Sequence, residues 1–280
     1  MSITGKTQRL GLIGMPISHS FSPAMHNAAS AALDIDFVYL PLPVLPGEVG
    51  TALKGLVALS WASVNVTIPR KLDVMAHLDH VAESAEAIGA VNTIDFRADG
   101  LYGYNTDWTG FLADLDAHNI SLENRDCILL GAGGSARGVV YALLSRGAHV
   151  RILARRPEAA QTLADSLTPW FENPTISAHD IATIPTLSTD NPLIINSTPL
   201  GTTPNTDRSA WPDSVAIPSG AVIYDLVYNP QQTKLMKQAT TAGCEAYNGL
   251  GMLLWQGAHA FEIWTGEKPD IDVMRAALPF

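Results

Sequence analysis

Four short polar motifs carry the side chains of this chain that are best suited to chemistry. They are residues 18–23 (SHSFSP), 65–71 (NVTIPRK), 89–93 (GAVNT) and 105–107 (NTD). A glycine-rich loop follows them at residues 131–138 (GAGGSARG). The loop is typical of a dinucleotide site, and the polar motifs are typical of a pocket for a small, hydroxyl-rich acid. The sequence therefore predicts a redox enzyme in which one half of the chain holds a cofactor and the other half holds the substrate.

The glycine-rich loop has the G-x-G-x-x-A spacing of dinucleotide-binding turns. In this spacing Gly131 permits the tight turn, Gly133 lets the backbone approach a pyrophosphate, and Ala136 lets the next helix lie close to the strand. The helix N-terminus would offer N–H groups to the phosphates. A strand, a helix and a second strand surround the loop, which favours a dinucleotide site over a turn that serves only close packing. The predicted cofactor contacts in the loop are Gly131, Ala132, Gly133, Gly134, Ser135 and Ala136.

The end of the second strand of this βαβ unit indicates which dinucleotide is bound. NAD enzymes usually have an acidic residue there, which binds the ribose hydroxyl groups. This chain has Ala154, Arg155 and Arg156 instead. Two guanidinium groups suit a 2′-phosphate, so the sequence favours NADP over NAD. The alternative interpretation is a pair of solvated surface arginines.

Each polar residue of the motifs also has an ordinary structural interpretation. Ser22 stands before a proline, and this order is a strong helix start, so Ser22 is expected to cap a helix. Pro69 is expected to open another helix, which would place Lys71 just inside its positive end. A lysine there needs a partner, although a solvated lysine is the alternative. The residues that also suit turns are Asn92, Thr93 and Asn105.

The elements that must position these residues alternate between strands and helices, which predicts an α/β fold. Helices are expected from Ser22 to about residue 33, from Pro69, and over residues 136–146 and 250–264. From residue 126 onward the pattern is that of a βαβ unit with the glycine loop at its first strand-to-helix turn. Residues 173–188 are the least periodic region. Strands are expected over residues 9–13, 37–42, 62–67, 91–96, 127–130, 149–153, 193–196 and 221–226.

Composition limits the classes of partner. The chain has 280 residues and a formal net charge of −10, which disfavours nucleic acid and anionic membranes as partners. Its two cysteines, Cys127 and Cys244, form no metal-ligand pattern, so no metal site is expected. The first residues lack the apolar run of a signal peptide, and no stretch is long enough to span a bilayer. We expect a cytoplasmic protein.

The motifs in their order along the chain resemble those of the shikimate dehydrogenase family, which also includes shikimate/quinate dehydrogenases. The resemblance covers essentially the whole length, and a chance match to every motif in order is not credible. The matching segments are residues 16–23 with His26 and Asn27, 65–71, 89–93, 105–107, 196–201, 225–230, and 248–253 with Gln256.

The resemblance implies a two-domain α/β fold. An N-terminal α/β substrate-binding domain would comprise residues 1–106 and 249–280, because the C-terminal helices return to it. A Rossmann-type, doubly wound NADP-binding domain would comprise residues 107–248. The implied reaction is the reversible NADP-dependent reduction of 3-dehydroshikimate to shikimate, a step in the biosynthesis of chorismate and the aromatic amino acids.

The resemblance also implies roles for individual residues. Lys71 and Asp107 correspond to the catalytic pair, and Ser20 and Ser22 to the serines that bind the substrate carboxylate. The ammonium of Lys71 would stabilise and protonate the alkoxide that forms when a ketone is reduced. The implied ligands of the substrate hydroxyls are Thr67, Asn92 and Gln256, with Asn65 and Tyr228 nearby. The further implied cofactor contacts are Ser197, Thr198, Leu226, Gly249 and Met252.

The chain departs from the family pattern after the second strand of the βαβ unit. The family usually has Asn-Arg-Thr there with a further basic residue, whereas this chain has Ala154, Arg155 and Arg156, then Ala159. A quinate/shikimate dehydrogenase that uses NAD is therefore one alternative, and a catalytically silent NADP-binding homologue is another. Ser20, the arginine pair and the presence of both Lys71 and Asp107 favour the active NADP enzyme. The sequence leaves a homodimer open.

Overall fold

The computed structural model describes residues 3–67, 69–186 and 189–279. The chain divides into two compact units, Met1–Gly110 with Leu253–Phe280, and Phe111–Met252. Each unit is built on its own six-stranded sheet with helices. The predicted α/β fold with a doubly wound unit is confirmed.

The first unit contains a mixed sheet. Its strands are β1 (Gln8–Gly14), β2 (Phe37–Pro43), β3 (Ser63–Val66), β4 (His80–Val81), β5 (Thr93–Arg97) and β6 (Gly100–Tyr104). They lie in the order β2-β1-β3-β5-β6-β4, with β5 antiparallel to both β3 and β6. Its helices are α1 (Ser22–Ala32), α2 (Val49–Ala58), α3 (Glu83–Ile88), the first turn of α4 (Asp107–Ala117), most of α8 (Leu250–Thr265) and α9 (Ile271–Ala276).

The two faces of this sheet are covered by different helices, because side chains alternate along each strand. On one face Leu53 of α2 packs in a buried cluster with Val64 and Val66. On the other face the ring of Phe37 lies 5.4 Å from that of Phe261 in α8. Helix α1 packs against α9. The polar residues at the carboxyl ends of β1 and β3 therefore rest on a closed apolar layer.

The second unit contains an all-parallel sheet. Its strands lie in the order β9-β8-β7-β10-β11-β12, which is the doubly wound order of the Rossmann fold. In this topology ligands bind beyond the carboxyl ends of the strands, where the order reverses between β7 and β10. The strands are β7 (Asp126–Leu130), β8 (His149–Ala154), β9 (Ile176–Asp180), β10 (Leu193–Asn196), β11 (Val222–Asp225) and β12 (Glu245–Asn248). The helices are α5 (Gly134–Ser145), α6 (Pro157–Leu167) and α7 (Lys234–Thr241), with the end of α4 and the start of α8.

One predicted helix cap and one predicted helix start are wrong. Helix α1 begins at Ser22, as one of its helical residues, so Ser22 is not the cap. Phe21, already in helical conformation, takes the cap position, and no side chain caps the helix. Pro69 opens no α-helix; a five-residue 3-10 helix begins only at Asp73. The carbonyl of Lys71 accepts the N–H of Val91 at 2.8 Å, so its backbone is bonded to the segment before β5 and not to a following helical turn.

The predicted strands are all present, with ends that shift by one or two residues. The aperiodic region contains β9 and a 3-10 helix over Ile181–Thr186, and its residues 187 and 188 lie outside the described part of the chain. So does Ile68 of the second motif. In the described ranges no helix combines the length and the apolar character that crossing a membrane requires.

Candidate active site

Lys71 and Asp107 form an ion pair in the first unit. The Nζ atom of Lys71 lies 2.5 Å from Oδ2 of Asp107, and only 13% and 11% of the two side chains are exposed. Lys71 stands in the turn after β3, and Asp107 is the first residue of α4, where a negative charge is favourable. The N–H of Asp107 donates to Oδ1 of Asn105 at 3.0 Å, which fixes the start of the helix. The partner that the sequence analysis expected for Lys71 is therefore the carboxylate of Asp107, which the start of α4 holds in place.

Asn92 holds the other oxygen of that carboxylate. Its Nδ2 donates to Oδ1 of Asp107 at 2.9 Å and to Oγ1 of Thr106 at 3.0 Å. Its Oδ1 accepts the N–H of Thr106 at 2.7 Å. Oδ1 of Asp107 thus faces an amide while Oδ2 faces an ammonium, which fixes the rotation of the carboxylate. Gln256 joins this group, because its Oε1 lies 3.4 Å from Nδ2 of Asn92.

Asn65 lies beneath Asn92 and is fully engaged as a donor. Its Nδ2 donates to the carbonyl of Asn92 and to Oγ1 of Thr93, both at 3.1 Å. Its Oδ1 accepts the hydroxyl of Tyr39 at 2.7 Å. Both amide hydrogens are used inside the protein, so Asn65 could offer a substrate only the free lone pair of its oxygen.

Ser20 and Ser22 meet at the start of α1. Oγ of Ser20 lies 3.3 Å from both Oγ and the backbone N of Ser22. Two neighbouring hydroxyls at the start of α1 are a chemical match for a carboxylate, since each can donate a hydrogen bond to it. Behind them lies the buried ring of Tyr39, stacked on His26 with centroids 4.4 Å apart. Burial lowers the pKa of His26 to about 3, so the imidazole under the serines is neutral.

The structure does not link every predicted substrate residue to this network. The Thr67 hydroxyl has no hydrogen-bond partner among the residues described, and its backbone N–H donates to Ile13. Gln256 is positioned by Gly110, where a Cβ atom would lie 2.6 Å from the Gln256 backbone nitrogen. Tyr228 belongs to the second unit, in the loop after β11, and burial raises the pKa of its hydroxyl.

The glycine loop of the second unit has room for a phosphate group. Gly131 has a φ of +108°, and a Cβ atom there would lie 2.7 Å from Oγ of Ser197. By contrast, a Cβ atom at Gly133 or Gly134 would meet nothing within 4 Å. Helix α5 starts beside them with no side-chain cap and no acidic residue in its first turn. Its free N–H groups, its dipole and the open space above fit a pyrophosphate.

The other predicted cofactor residues lie around the same edge of the sheet. Strand β8 ends at Ala154, and Arg155 and Arg156 follow it with exposed side chains. Glu158 comes next, in the first turn of α6. On the other side of the switch point, Ser197 Oγ donates to the carbonyl of Leu130 at 2.8 Å. Gly249 lies against Leu226, since a Cβ atom at Gly249 would overlap the Leu226 carbonyl. Thr198 flanks Gly131, and Met252 is buried.

Comparison with known proteins gives one family. A model of the shikimate dehydrogenase substrate-binding domain matches residues 12–94, and a model of the shikimate 5′-dehydrogenase C-terminal domain matches residues 249–278. A shikimate dehydrogenase (NADP(+)) of Carboxydothermus hydrogenoformans is 41% identical over 278 residues, which is 99% of both chains. The chain belongs to the shikimate dehydrogenase family.

Solved structures of this family agree over the whole chain. A shikimate dehydrogenase crystallised with NADP+ matches with a TM-score of 0.92 and 37% identity, covering 99% of this chain and 96% of the other. A quinate dehydrogenase of Corynebacterium glutamicum in complex with NAD matches with a TM-score of 0.89 and 32% identity, covering 97% and 98%. Overall likeness therefore shows the shikimate dehydrogenase family and its fold. The choice between NADP and NAD has to be argued from individual residues.

Sequence reasoning missed several residues that build this candidate site. Thr93, Asn105 and Thr106 stand in the motifs, but the first two were also open to interpretation as turn residues. Their hydrogen bonds to Asn92 and Asp107 give them a structural task that residue type alone does not reveal. Tyr39 and His26 gave no clear signal, because Tyr39 lies in an apolar strand and His26 on the buried face of a helix.

Proposed function

We propose that this chain catalyses the reversible NADP-dependent reduction of 3-dehydroshikimate to shikimate. The observation that carries the proposal is the Lys71–Asp107 ion pair, held on both carboxylate oxygens. Family membership and the names of the full-length relatives, which are NADP-dependent shikimate dehydrogenases, support it. A catalytically silent homologue would have no need to retain both charges in a mostly buried pair.

The chemistry requires a hydride on the carbonyl carbon and a proton on the carbonyl oxygen. NADPH, when bound, supplies the hydride. The ammonium of Lys71 lies next to the forming alkoxide, stabilises its charge and donates the proton. Asp107 keeps the ammonium oriented and accepts a hydrogen bond from a substrate hydroxyl with its remaining lone pairs. In the direction of oxidation, neutral Lys71 takes the proton from the C–OH group.

The remaining residues bind and orient the substrate. Ser20 and Ser22 hold the carboxylate with their hydroxyl groups at the start of α1. Thr67 binds a substrate hydroxyl, because its own hydroxyl has no hydrogen-bond partner among the described residues. Asn92 and Gln256 contact hydroxyls beside Asp107, and Tyr228 is a further proposed substrate contact. Asn65 acts mainly by holding Asn92 in place.

The cofactor lies on the second unit. The loop from Gly131 to Ala136 binds the pyrophosphate, as the open space over Gly133 and Gly134 supports. Arg155 and Arg156 bind the 2′-phosphate. Residues 1–106 with 249–280 are proposed as the substrate domain and residues 107–248 as the NADP domain, in a cytoplasmic enzyme. The further cofactor contacts are Ala154, Ser197, Thr198, Leu226, Gly249 and Met252.

One assay tests the proposal and its closest alternative together. Initial rates are measured with shikimate and with quinate, each with NADP+ and with NAD+. We expect the highest kcat/KM with shikimate and NADP+. Ala154 and Ala159 favour the second candidate, a quinate/shikimate dehydrogenase using NAD, and higher kcat/KM with quinate or with NAD+ would establish it. No turnover of either acid with either cofactor would overturn both.

A further inference from the structure

A buried carboxylate outside the Lys71–Asp107 site lies at the carboxyl end of β11. Asp225 has no exposed surface, and three donors from three different segments surround it. Oγ1 of Thr233 donates at 2.6 Å, Nδ2 of Asn196 at 2.8 Å and the N–H of Val227 at 3.1 Å. Desolvation raises the pKa of Asp225 to about 6, and the three hydrogen bonds oppose that rise. Burying an ionisable carboxyl group costs free energy, so the burial of Asp225 calls for a reason.

Asn196 carries the effect of this carboxylate to the neighbouring loop. Its Nδ2 faces Asp225, and its Oδ1 accepts both the N–H of Thr198 at 3.0 Å and the hydroxyl of Thr198 at 2.7 Å. The two ends of an amide differ, since one donates and the other accepts. An ionised carboxylate only accepts, so it forces the NH2 end of Asn196 toward itself and the oxygen toward Thr198.

The same carboxylate fixes the loop after β11. Thr233 donates to Oδ2 of Asp225, and its oxygen also accepts the N–H of Met236 at 3.3 Å, which caps α7. The N–H of Val227 ties the first residues of the loop to Oδ1. Asp225 therefore joins both ends of the segment 226–233 to the end of β10.

We propose that Asp225 is a positioning residue for the cofactor: its buried charge sets the direction of the Asn196 amide and thereby prearranges the Ser197–Thr198 loop that receives the dinucleotide. The inference rests on the proposed function, which assigns Ser197 and Thr198 to the cofactor. The Ser197–Thr198 loop lies beside the glycine loop, because Oγ of Ser197 and the methyl group of Thr198 flank Gly131. An asparagine at position 225 keeps the shape but removes the charge, so Asn196, whose Nδ2 also donates to the carbonyl of Leu200 at 3.3 Å, would be held toward Thr198 less firmly.

The decisive experiment is a double-variant cycle on the two polar groups. Asp225→Asn should raise the NADP+ dissociation constant about tenfold, as expected for one weakened hydrogen bond to a charged group. Asn196→Ala should weaken binding at least as much. The double variant Asp225→Asn with Asn196→Ala should bind within about threefold of Asn196→Ala alone, because Asp225 acts on the loop through Asn196. Binding is measured by titration calorimetry, with circular dichroism to check folding.

Asp126→Asn is the matched control. Asp126 lies at the opposite end of the same sheet and accepts a threonine hydroxyl at the same distance, 2.6 Å, from Thr189. This control should leave NADP+ binding unchanged. Unchanged binding in Asp225→Asn, equal weakening in Asp126→Asn, or additive losses in the double variant would overturn the inference.

A measurement on the unaltered chain keeps the inference testable if a variant fails to fold. The Thr198 amide should be protected from hydrogen exchange before any cofactor is added, because Oδ1 of Asn196 already accepts its proton. Protection that arises only with NADP+ would show that the loop is not prearranged. If the wild-type protein binds no NADP+, the proposed function fails, whereas protection of Thr198 still reports on the Asp225–Asn196 arrangement.

Discussion

Lys71 reaches Asp107 from a turn that a long-range hydrogen bond ties to the loop before β5. Its carbonyl accepts the N–H of Val91, and its side chain lies beside the start of α4. The ammonium therefore lies against a carboxylate that Asn92 also holds. Position, rather than an isolated lysine in the sequence, gives this group its chemical role.

Replacing Lys71 should remove the proton donor while the substrate contacts remain. We expect Lys71→Ala to lower kcat by about 10²–10⁴-fold, the usual loss for a general acid or base, with a much smaller change in KM for shikimate. Steady-state kinetics would measure both. Lys234→Ala, which breaks a lysine–aspartate pair with Asp213 in the second unit, is the matched control and should keep wild-type turnover. Turnover within a few-fold of wild type in Lys71→Ala would exclude it as the catalyst.

Residue type indicated that Lys71 needs a partner, and only the resemblance to the family named Asp107 as that partner. The structure places the two charges together. The orientation of Asn92 and Asn65 could not be predicted, since it depends on hydrogen bonds with Thr93, Thr106 and Tyr39 that only the folded chain creates. Uncharged amides satisfy many partners, so their sequence positions alone say little about direction.

At the scale of elements, the N-terminus of α5 distinguishes two kinds of glycine. Gly131 is required by the fold, because its φ is +108° and a side chain would approach Ser197. Gly133 has a φ of −91°, and its missing Cβ would face open space. The fold therefore leaves open space at position 133, which the proposed pyrophosphate contact would use.

This contrast predicts opposite outcomes for two substitutions. Gly133→Val should change the free energy of unfolding by about 0.5 kcal/mol or less, as surface changes usually do, and should weaken NADP+ binding at least about tenfold. Gly131→Ala should lower the free energy of unfolding by about 1–3 kcal/mol, the cost of strained backbone. Thermal unfolding and calorimetric titration measure the two effects. Normal NADP+ binding by Gly133→Val would contradict the placement of the pyrophosphate.

The end of β8 carries the prediction on cofactor choice. If Arg155 and Arg156 bind the 2′-phosphate, changing both to alanine should raise KM for NADP+ about tenfold or more and leave KM for NAD+ nearly unaltered. Salt should weaken NADP+ binding more than NAD+ binding, because both arginines are exposed. A control double variant, Arg9→Ala with Arg146→Ala, removes the same charge from exposed positions elsewhere. An NADP preference that survives loss of the arginine pair would refute the assignment.

The eight strands expected from the sequence are all present, whereas the helix expected after Pro69 is not. The apolar runs of β7 and β10 are continuous because both faces of a parallel sheet are buried, and such runs are visible in the sequence. The helix expected after Pro69 failed for a nonlocal reason, the bond between Lys71 and Val91. Short helices such as α3 lack a clear period over so few residues and escaped notice.

At the scale of the whole molecule, two buried titratable groups make opposite contributions to acid stability. His26 has a folded pKa near 3 against 6.5 when unfolded, so the unfolded state binds the extra proton and stability falls as pH drops below 6.5. Asp225 has a folded pKa near 6 against 3.8, so the folded state binds the extra proton. Its contribution is fully present below about pH 3.8 and is lost as pH rises through 6.

Denaturant unfolding at several pH values tests the His26 contribution. Between pH 6.5 and 4 it amounts to about 3 kcal/mol, from 1.36 kcal/mol per pKa unit. His26→Phe keeps an aromatic ring against Tyr39 and should reduce the loss of stability over this range by a comparable amount. His19→Gln, a change at an exposed histidine, should leave the pH profile unaltered. A wild-type slope in His26→Phe would show that another group is responsible.

The first unit is discontinuous in the chain, and this has a consequence for synthesis on the ribosome. Every residue of the second unit precedes residue 253, so its parallel sheet can close while the first unit still lacks part of α8 and all of α9. Until those helices emerge, Phe37 and Tyr39 have neither Phe261 nor Trp264 to cover them. The nascent chain thus carries an uncovered apolar sheet face for the time needed to make more than half of the protein. Chaperones that bind exposed apolar surface would act during this period.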